Sequence, residues 1–294
     1  MFSDSVELKL SPLEDLAIDM YLPGDLSAAT SPFTVHTGGG ALQTNYVSPA
    51  CNHSGATNMP VMTTTLSWYF LARVETSAPV QRGAVVAFGD SITDGTRSTP
   101  DANNRWPDGF ARRLKEDGLM MGVLNAAISG NRLLSDGAGA SALARFDRDV
   151  LAHTGVTHVV VLEGLNDIGL TRPLPSAADL ITGHRQLIDR AHAHGLKIYG
   201  ATILPFEGAS LSNPSIRYWT PEGETLRQSL NAWIRTSKEY DGVIDFDAAV
   251  KDPDHPAKML EKYASADKLH PNDMGYEVMA KTVSLGLFKP AGAR

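Results

Sequence analysis

The sequence predicts an α/β domain built on a five-stranded parallel sheet and preceded by a small, mainly-β segment. Three observations carry this expectation. Short apolar runs at 85–88, 123–128, 159–162, 198–204 and 243–246 have the length and continuity of strands buried on both faces. Between them the apolar residues change to helical spacing, as in Leu180, Leu187, Ile188 and Ala191, and again in Leu226, Leu230, Trp233 and Ile234. Strands alternating with helices imply parallel pairing through right-handed crossovers, with helices on both faces of the sheet. Residues 1–80 lack that alternation: strand-like runs at 16–22, 33–36 and 63–71 are separated by clusters of Pro, Gly, Ser and Asn. We therefore place a boundary at the Pro/Gly-containing stretch 78–83, giving units 1–80 and 81–294.

The elements follow in order. A sheet of three or four strands with one apolar face must cover that face and its edges, so the first segment is expected to lean on the α/β unit or on a second copy of the chain. Gly38, Gly39 and Gly40 are not followed by the Lys-Ser/Thr pair of a phosphate loop and read as a turn. The run 85–88 leads into Gly89-Asp90-Ser91-Ile92-Thr93-Asp94-Gly95, and Trp106, Phe110 and Leu114 then mark a helix. Thr220 before Pro221 is a helix start, with threonine as N-cap and proline in the first turn. Asn272 or Asp273 serves the same purpose for a last helix.

Composition limits the functional classes. The 294 residues, 43% hydrophobic, supply a large core, and a net charge of -7 argues against an extended nucleic-acid or anionic-membrane surface. One cysteine, Cys51, excludes an intrachain disulfide framework. The first twenty residues carry Asp4, Glu7, Glu14, Asp15 and Asp19 and no apolar core of a signal peptide, although an exported parent with a longer amino terminus would look the same after truncation. No apolar run approaches the roughly 20 residues of a membrane helix.

The chemistry sits at the strand ends. Open α/β sheets bind ligands outside the carboxyl ends of their strands, which places the Ser91 hydroxyl where a nucleophile belongs. The second strand runs into Ile128-Ser129-Gly130-Asn131, whose glycine can present a backbone N–H, and the third into Glu163-Gly164-Leu165-Asn166-Asp167, whose Asn166 offers an amide donor. Near the carboxyl end, Asp267 and His270 are three residues apart, so the carboxylate can reach one ring nitrogen while the other accepts a serine proton. Asp90 and Asp94 are expected to shape the serine turn. His192 and His194 point to different faces of a helix end and do not read as metal ligands, and 137–142 imitates a dinucleotide fingerprint without a strand leading into it.

These four blocks, in this order, resemble the GDSL or SGNH hydrolase family: Ser91, Gly130, Asn166 and His270 occupy the positions of the four named residues, over roughly residues 84–287. Isoleucine stands at position 92 where the family label has leucine. The resemblance implies a three-layer α/β/α, flavodoxin-like fold and a serine esterase, lipase or acylhydrolase that needs no metal or cofactor. It further implies that Ser91, Asp267 and His270 are catalytic, and that the N–H groups of Ser91 and Gly130 and the Asn166 amide form the oxyanion hole. The short, polar motif loops favour small-molecule esters with acetyl to butyryl chains, acetylated carbohydrates among them. Two other classes stay open: an acyltransferase using the same residues, and a carbohydrate- or partner-binding protein with a vestigial site.

Overall fold

The structure, a computed structural model, describes residues 3–25, 35–36, 42–77, 83–211 and 215–289. Two residues of the expected run 33–36, the three-glycine turn and most of the expected linker lie outside the described residues.

Each strand of the main sheet grows from one apolar run. Ala84–Gly89 (β5), Gly122–Ala127 (β6), Val156–Leu162 (β7), Lys197–Ala201 (β8) and Gly242–Ile244 (β9) pair in parallel in the order β6-β5-β7-β8-β9. Val85, Val86, Ala87, Phe88, Val159, Val160 and Val161 are buried at its centre. The chain crosses from β6 over β5 to β7, so the topological switch point, where open α/β sheets bind ligands, lies between β5 and β7.

The helices form the two outer layers of an α/β/α sandwich. After the single turn Ser91–Asp94 (α1), Trp106–Glu116 (α2) buries Trp106, Phe110 and Leu114 along one stripe and packs against Asp273–Thr282 (α8). On the other layer Ala177–Ala193 (α5) packs against Pro221–Thr236 (α6). Caps define the starts: the Thr220 hydroxyl accepts from Gly223 N at 3.0 Å, and Ser176 and Asp179 bond reciprocally. Among the described residues no helix is long and apolar enough to cross a membrane.

Three strands end earlier than their apolar runs, β6 by one residue, at Ala127. The chain leaves the sheet after Ala201 because side chains take over its backbone: Asn231 Oδ1 accepts from Ile203 N at 2.7 Å, and Arg227 Nη1 and Asn231 Nδ2 donate to Ile203 O. Likewise Phe246, the last residue of its apolar run, begins the short helix Phe246–Val250 (α7), capped by Asp245. The helix Ala142–Phe146 (α3), its π-helical continuation Asp147–Leu151, and Leu165–Leu170 (α4) were too short to announce themselves by periodicity.

Ahead of the sandwich, Val35–His36 (β1) pairs with Trp68–Tyr69 (β4), and Asn45–Val47 (β2) with Thr63–Thr65 (β3), both antiparallel. The strand expected at 16–22 does not form. Leu16, Ile18, Met20 and Leu22 alternate as a strand would, but they are exposed, and among the described residues no backbone pairs with theirs; alternation without a partner ladder is not enough. Contacts with the α/β unit are local: the Asp101 carboxylate accepts from Thr44 N and Oγ1, Asp101 N donates to Leu42 O, and Lys115 Nζ donates to Pro12 O.

Candidate active site

Ser91 is placed by a turn that the sequence makes almost obligatory. Asp90, at the end of β5, accepts from Ile92 N at 2.9 Å and so N-caps α1, with Ser91 as its first residue. Gly95 ends the turn at φ 98°, where a Cβ would run into the Arg105 side chain. Gly89 is needed for space: a Cβ there would sit 2.9 Å from Leu162 O on the neighbouring strand.

His270 comes from the opposite end of the chain. Its Nε2 lies 2.9 Å from Ser91 Oγ, and its Nδ1 lies 2.9 Å from Asp267 Oδ2. The Asp267–His270 turn is closed by Asp267 Oδ1, which accepts from Leu269 N and His270 N, both at 3.0 Å, with Lys268 in the left-handed region at φ 57°. Asn272, as N-cap, accepts from Gly275 N and starts α8 directly after this loop. Tyr276 on that helix donates to Thr96 O at 2.7 Å, joining the histidine loop to the serine turn. Burial works against ionisation of Asp267. The His270 ring hydrogen bond, the His270 and Leu269 amides and the charge on His270 outweigh it and hold the carboxyl well below its ordinary range. The carboxylate thus stays ionised and engages Nδ1, while Nε2 faces Ser91 Oγ.

The second and third motif loops meet beside Asp90. The turn at Ser129-Gly130 is tied to the serine turn through Ser129, which donates to Asp94 Oδ2 at 2.7 Å and lies 3.1 Å from Thr96 Oγ1. Gly130 has φ 80° and backs onto Ala138, whose Cβ a side chain at 130 would meet at 3.0 Å. Asn166, in the first turn of α4, is buried, and its Nδ2 donates to Asn131 O at 2.9 Å and to Asp90 Oδ2 at 3.2 Å. The amide expected as a donor has both of its hydrogens on acceptors in the fold. Asp167 pins the same loop by accepting from Leu133 N and Leu134 N. Burial pushes the Asp90 carboxyl up to about 6; the Ile92 amide and the charge on His270 pull it down, and Asp167 and Asp94 add to the rise.

Four neighbours escaped the sequence reading. Arg97, at φ 74°, donates through Nε to Asp267 Oδ2 at 2.9 Å and shares that oxygen with His270. Arg145, wholly buried, donates to Gly89 O, Ala126 O, Asn131 Oδ1 and Glu163 Oε1, so one guanidinium braces the ends of β5, β6 and β7. Tyr218 donates to Asn166 Oδ1 at 2.9 Å, and Tyr276 has been described. A lone arginine among the apolar residues 142–146 was the available signal for Arg145; nothing local marked the others.

The side sites have structural explanations. His192 Nε2 lies 2.9 Å from Asp241, His194 caps α5, and no cluster able to hold a metal occurs among the described residues. Residues 137–142 form a turn held by Asn131 Nδ2 on Ala138 O and Ala140 O. Cys51 is exposed.

A parallel α/β/α sandwich with a serine and a histidine at its switch point defines a class of hydrolases. Residues 87–278 match the GDSL-like lipase/acylhydrolase family, and the chain belongs to that family of carboxylic ester hydrolases. Similar solved structures include a GDSL-like lipase from Bacteroides thetaiotaomicron (20% identity, 72% of this chain and 91% of that one, TM-score 0.54). They also include Est24, a carbohydrate acetylesterase from Sinorhizobium meliloti (15%, 68% and 96%, TM-score 0.54). A third is an inhibitor-bound aryl esterase from M. smegmatis (15%, 67% and 94%, TM-score 0.54). At these identities the likeness is one of fold. No curated protein matches the chain.

Proposed function

We propose that the chain is a serine esterase that hydrolyses short-chain acyl esters, acetyl to butyryl, through an acyl-enzyme on Ser91. The observation that carries this reading is the continuous run Ser91 Oγ, His270 Nε2, His270 Nδ1, Asp267 Oδ2, with 2.9 Å at each hydrogen bond. As Ser91 Oγ bonds to the ester carbonyl carbon, His270 Nε2 takes its proton and Asp267 stabilises the imidazolium. The carbonyl oxygen becomes an oxyanion that accepts from Ser91 N, Gly130 N and Asn166 Nδ2. Of the two present acceptors of Nδ2, Asp90 Oδ2 is the more distant, and it is the one the oxyanion replaces. The intermediate collapses as His270 returns the proton to the leaving alcohol, and the ester of Ser91 remains. Water, deprotonated by the same nitrogen, then cleaves that ester and frees the acid.

The preference for short chains rests on the walls of the site. One helical turn separates Ser91 from Gly95, and α4 ends six residues after Gly164. Neither helical turn is long enough to roof a channel for a fatty chain. The fold shared with a carbohydrate acetylesterase makes acetylated sugars the first natural esters to try.

An aryl-ester series from acetyl to dodecanoyl, with acetylated sugars beside it, tests the proposal on wild type and Ser91→Ala. The expected result is turnover that falls with chain length, is lost in Ser91→Ala, and is accompanied by organophosphonate labelling of Ser91. Greater efficiency on dodecanoyl than on acetyl esters refutes the short-chain preference; near-normal turnover by Ser91→Ala refutes the mechanism.

A further inference from the structure

An oxyanion donor works only if it is already aimed, because turning a dipole during the reaction forfeits the advantage of having it. Asn166 is aimed from two sides. Asn131 O and Asp90 Oδ2 accept from the nitrogen of its amide, and Tyr218 donates to the oxygen. Reversing the amide would set Asn166 Oδ1 against Asn131 O, so the nitrogen stays on the side of Asp90 and the serine turn. That leaves Oδ1 pointing into buried surroundings, where an unpaired carbonyl is costly.

We propose that Tyr218 is a positioning residue of the ester-cleaving site, holding the Asn166 amide in its oxyanion-binding orientation through the bond from its hydroxyl to Asn166 Oδ1. The inference rests on the reading of Asn166 as an oxyanion donor. Tyr218 belongs to none of the four motif blocks; it stands two residues before Thr220, the N-cap of α6, and reaches the site only because the loop from β8 folds back over α4. The residue is 2% exposed, and its ring is fixed independently of its hydroxyl. It packs edge-on to Phe206, with centroids 5.7 Å apart, and fills the space above Gly169, where any Cβ would run into the ring. Gly169 thus admits the tyrosine, and the tyrosine aims the asparagine.

The phenol is suited to this duty. Burial, helped by the charges of Asp90 and Asp167, pushes its pKa well above the usual value, so the hydroxyl keeps its proton at any working pH. A hydrogen bond to Oδ1 also draws electron density from the amide nitrogen and makes its N–H groups better donors, a cooperative gain on top of orientation. Tyr218 touches neither the ester nor the reacting atoms, and its effect is confined to what Asn166 does.

The test is a double-mutant cycle with Tyr218→Phe and Asn166→Ala, reading kcat and KM separately on an acetyl ester. Phenylalanine keeps the ring that Phe206 and Gly169 hold, and Tyr218→Met, which fills the space without a donor, is the second variant. We expect Asn166→Ala to lower kcat about 10²- to 10³-fold. Both Tyr218 variants should lower it about 3- to 10-fold, the worth of one hydrogen bond, with KM within about twofold of wild type. In the Asn166→Ala background neither Tyr218 variant should lower kcat further, because the group it positions is gone. A large loss in Asn166→Ala with unchanged kcat in folded Tyr218 variants overturns the Tyr218 proposal alone. An equal loss in both backgrounds overturns it too, by placing the effect elsewhere. Unchanged kcat in Asn166→Ala removes the oxyanion reading, and the Tyr218 proposal with it.

Discussion

Arg145→Met removes the brace under the active site, and the structure sets the size of the effect. The guanidinium carbon stacks 3.9 Å from the centre of the Phe88 ring, and the nitrogens serve Gly89 O at 3.0 Å, Ala126 O at 2.6 Å, Asn131 Oδ1 at 2.8 Å and Glu163 Oε1 at 3.0 Å. Arg145 and Glu163 side chains are both 0% exposed. Methionine refills the volume but donates nothing. Two strand-end carbonyls lose a donor and Glu163 loses its counter-charge, in a place where burial already pushes its carboxyl well up despite Arg145. Breaking a buried pair from one side costs about 3–5 kcal/mol. With a urea dependence of about 3 kcal/mol per molar, the unfolding midpoint, followed by tryptophan fluorescence at pH 7, should fall by roughly 1–1.7 M. Adding Glu163→Gln to Arg145→Met removes the stranded charge and should restore about 1–3 kcal/mol. Folded Arg145→Met should also turn over more slowly, since Gly89 precedes the serine turn and Asn131 O holds the Asn166 amide. A loss below about 1 kcal/mol, or no recovery with Glu163→Gln, would refute the reasoning.

Asp90→Asn tests the pH dependence that burial imposes. The folded carboxyl titrates at about 6 against 3.8 for the free group, so its contribution to stability is fully present below about 3.8 and is lost as pH rises through 6. Between pH 4 and pH 7 the stability of Asp90→Asn relative to wild type should therefore rise by on the order of 3 kcal/mol; a difference that stays constant with pH contradicts the assignment. Deleting residues 1–80 strips Asp101 of its bonds to Leu42 and Thr44 and should lower the melting temperature, with ester turnover retained by molecules that remain folded. A fragment 81–294 that melts like the full chain would make the segment an independent appendage.

Features with local causes were legible in the sequence. The buried strands announce themselves as apolar runs because both faces of a parallel sheet are covered. Thr220 and Asn272 cap helices because a side-chain oxygen bonds an amide two or three residues on, and Asp90 starts the serine turn in the same way. Asp267 reaches His270 because the two share one tight loop. Ser91 and His270 are paired in expectation by the chemistry of the two residue types and by the family resemblance, not by any local pattern; 179 positions separate them along the chain, and crossovers and packing alone make them neighbours. The tertiary structure decided the rest. It set Arg145 beneath three strand ends and gave the Asn166 amide its acceptors. It carried Tyr218 from the far loop to Asn166 Oδ1, and left 16–22 without strand pairing among the described residues. The physical reason is the same in each case. A buried polar group or a strand backbone is satisfied by whatever the fold brings within about 3 Å, and that partner lies at a sequence distance no local pattern encodes.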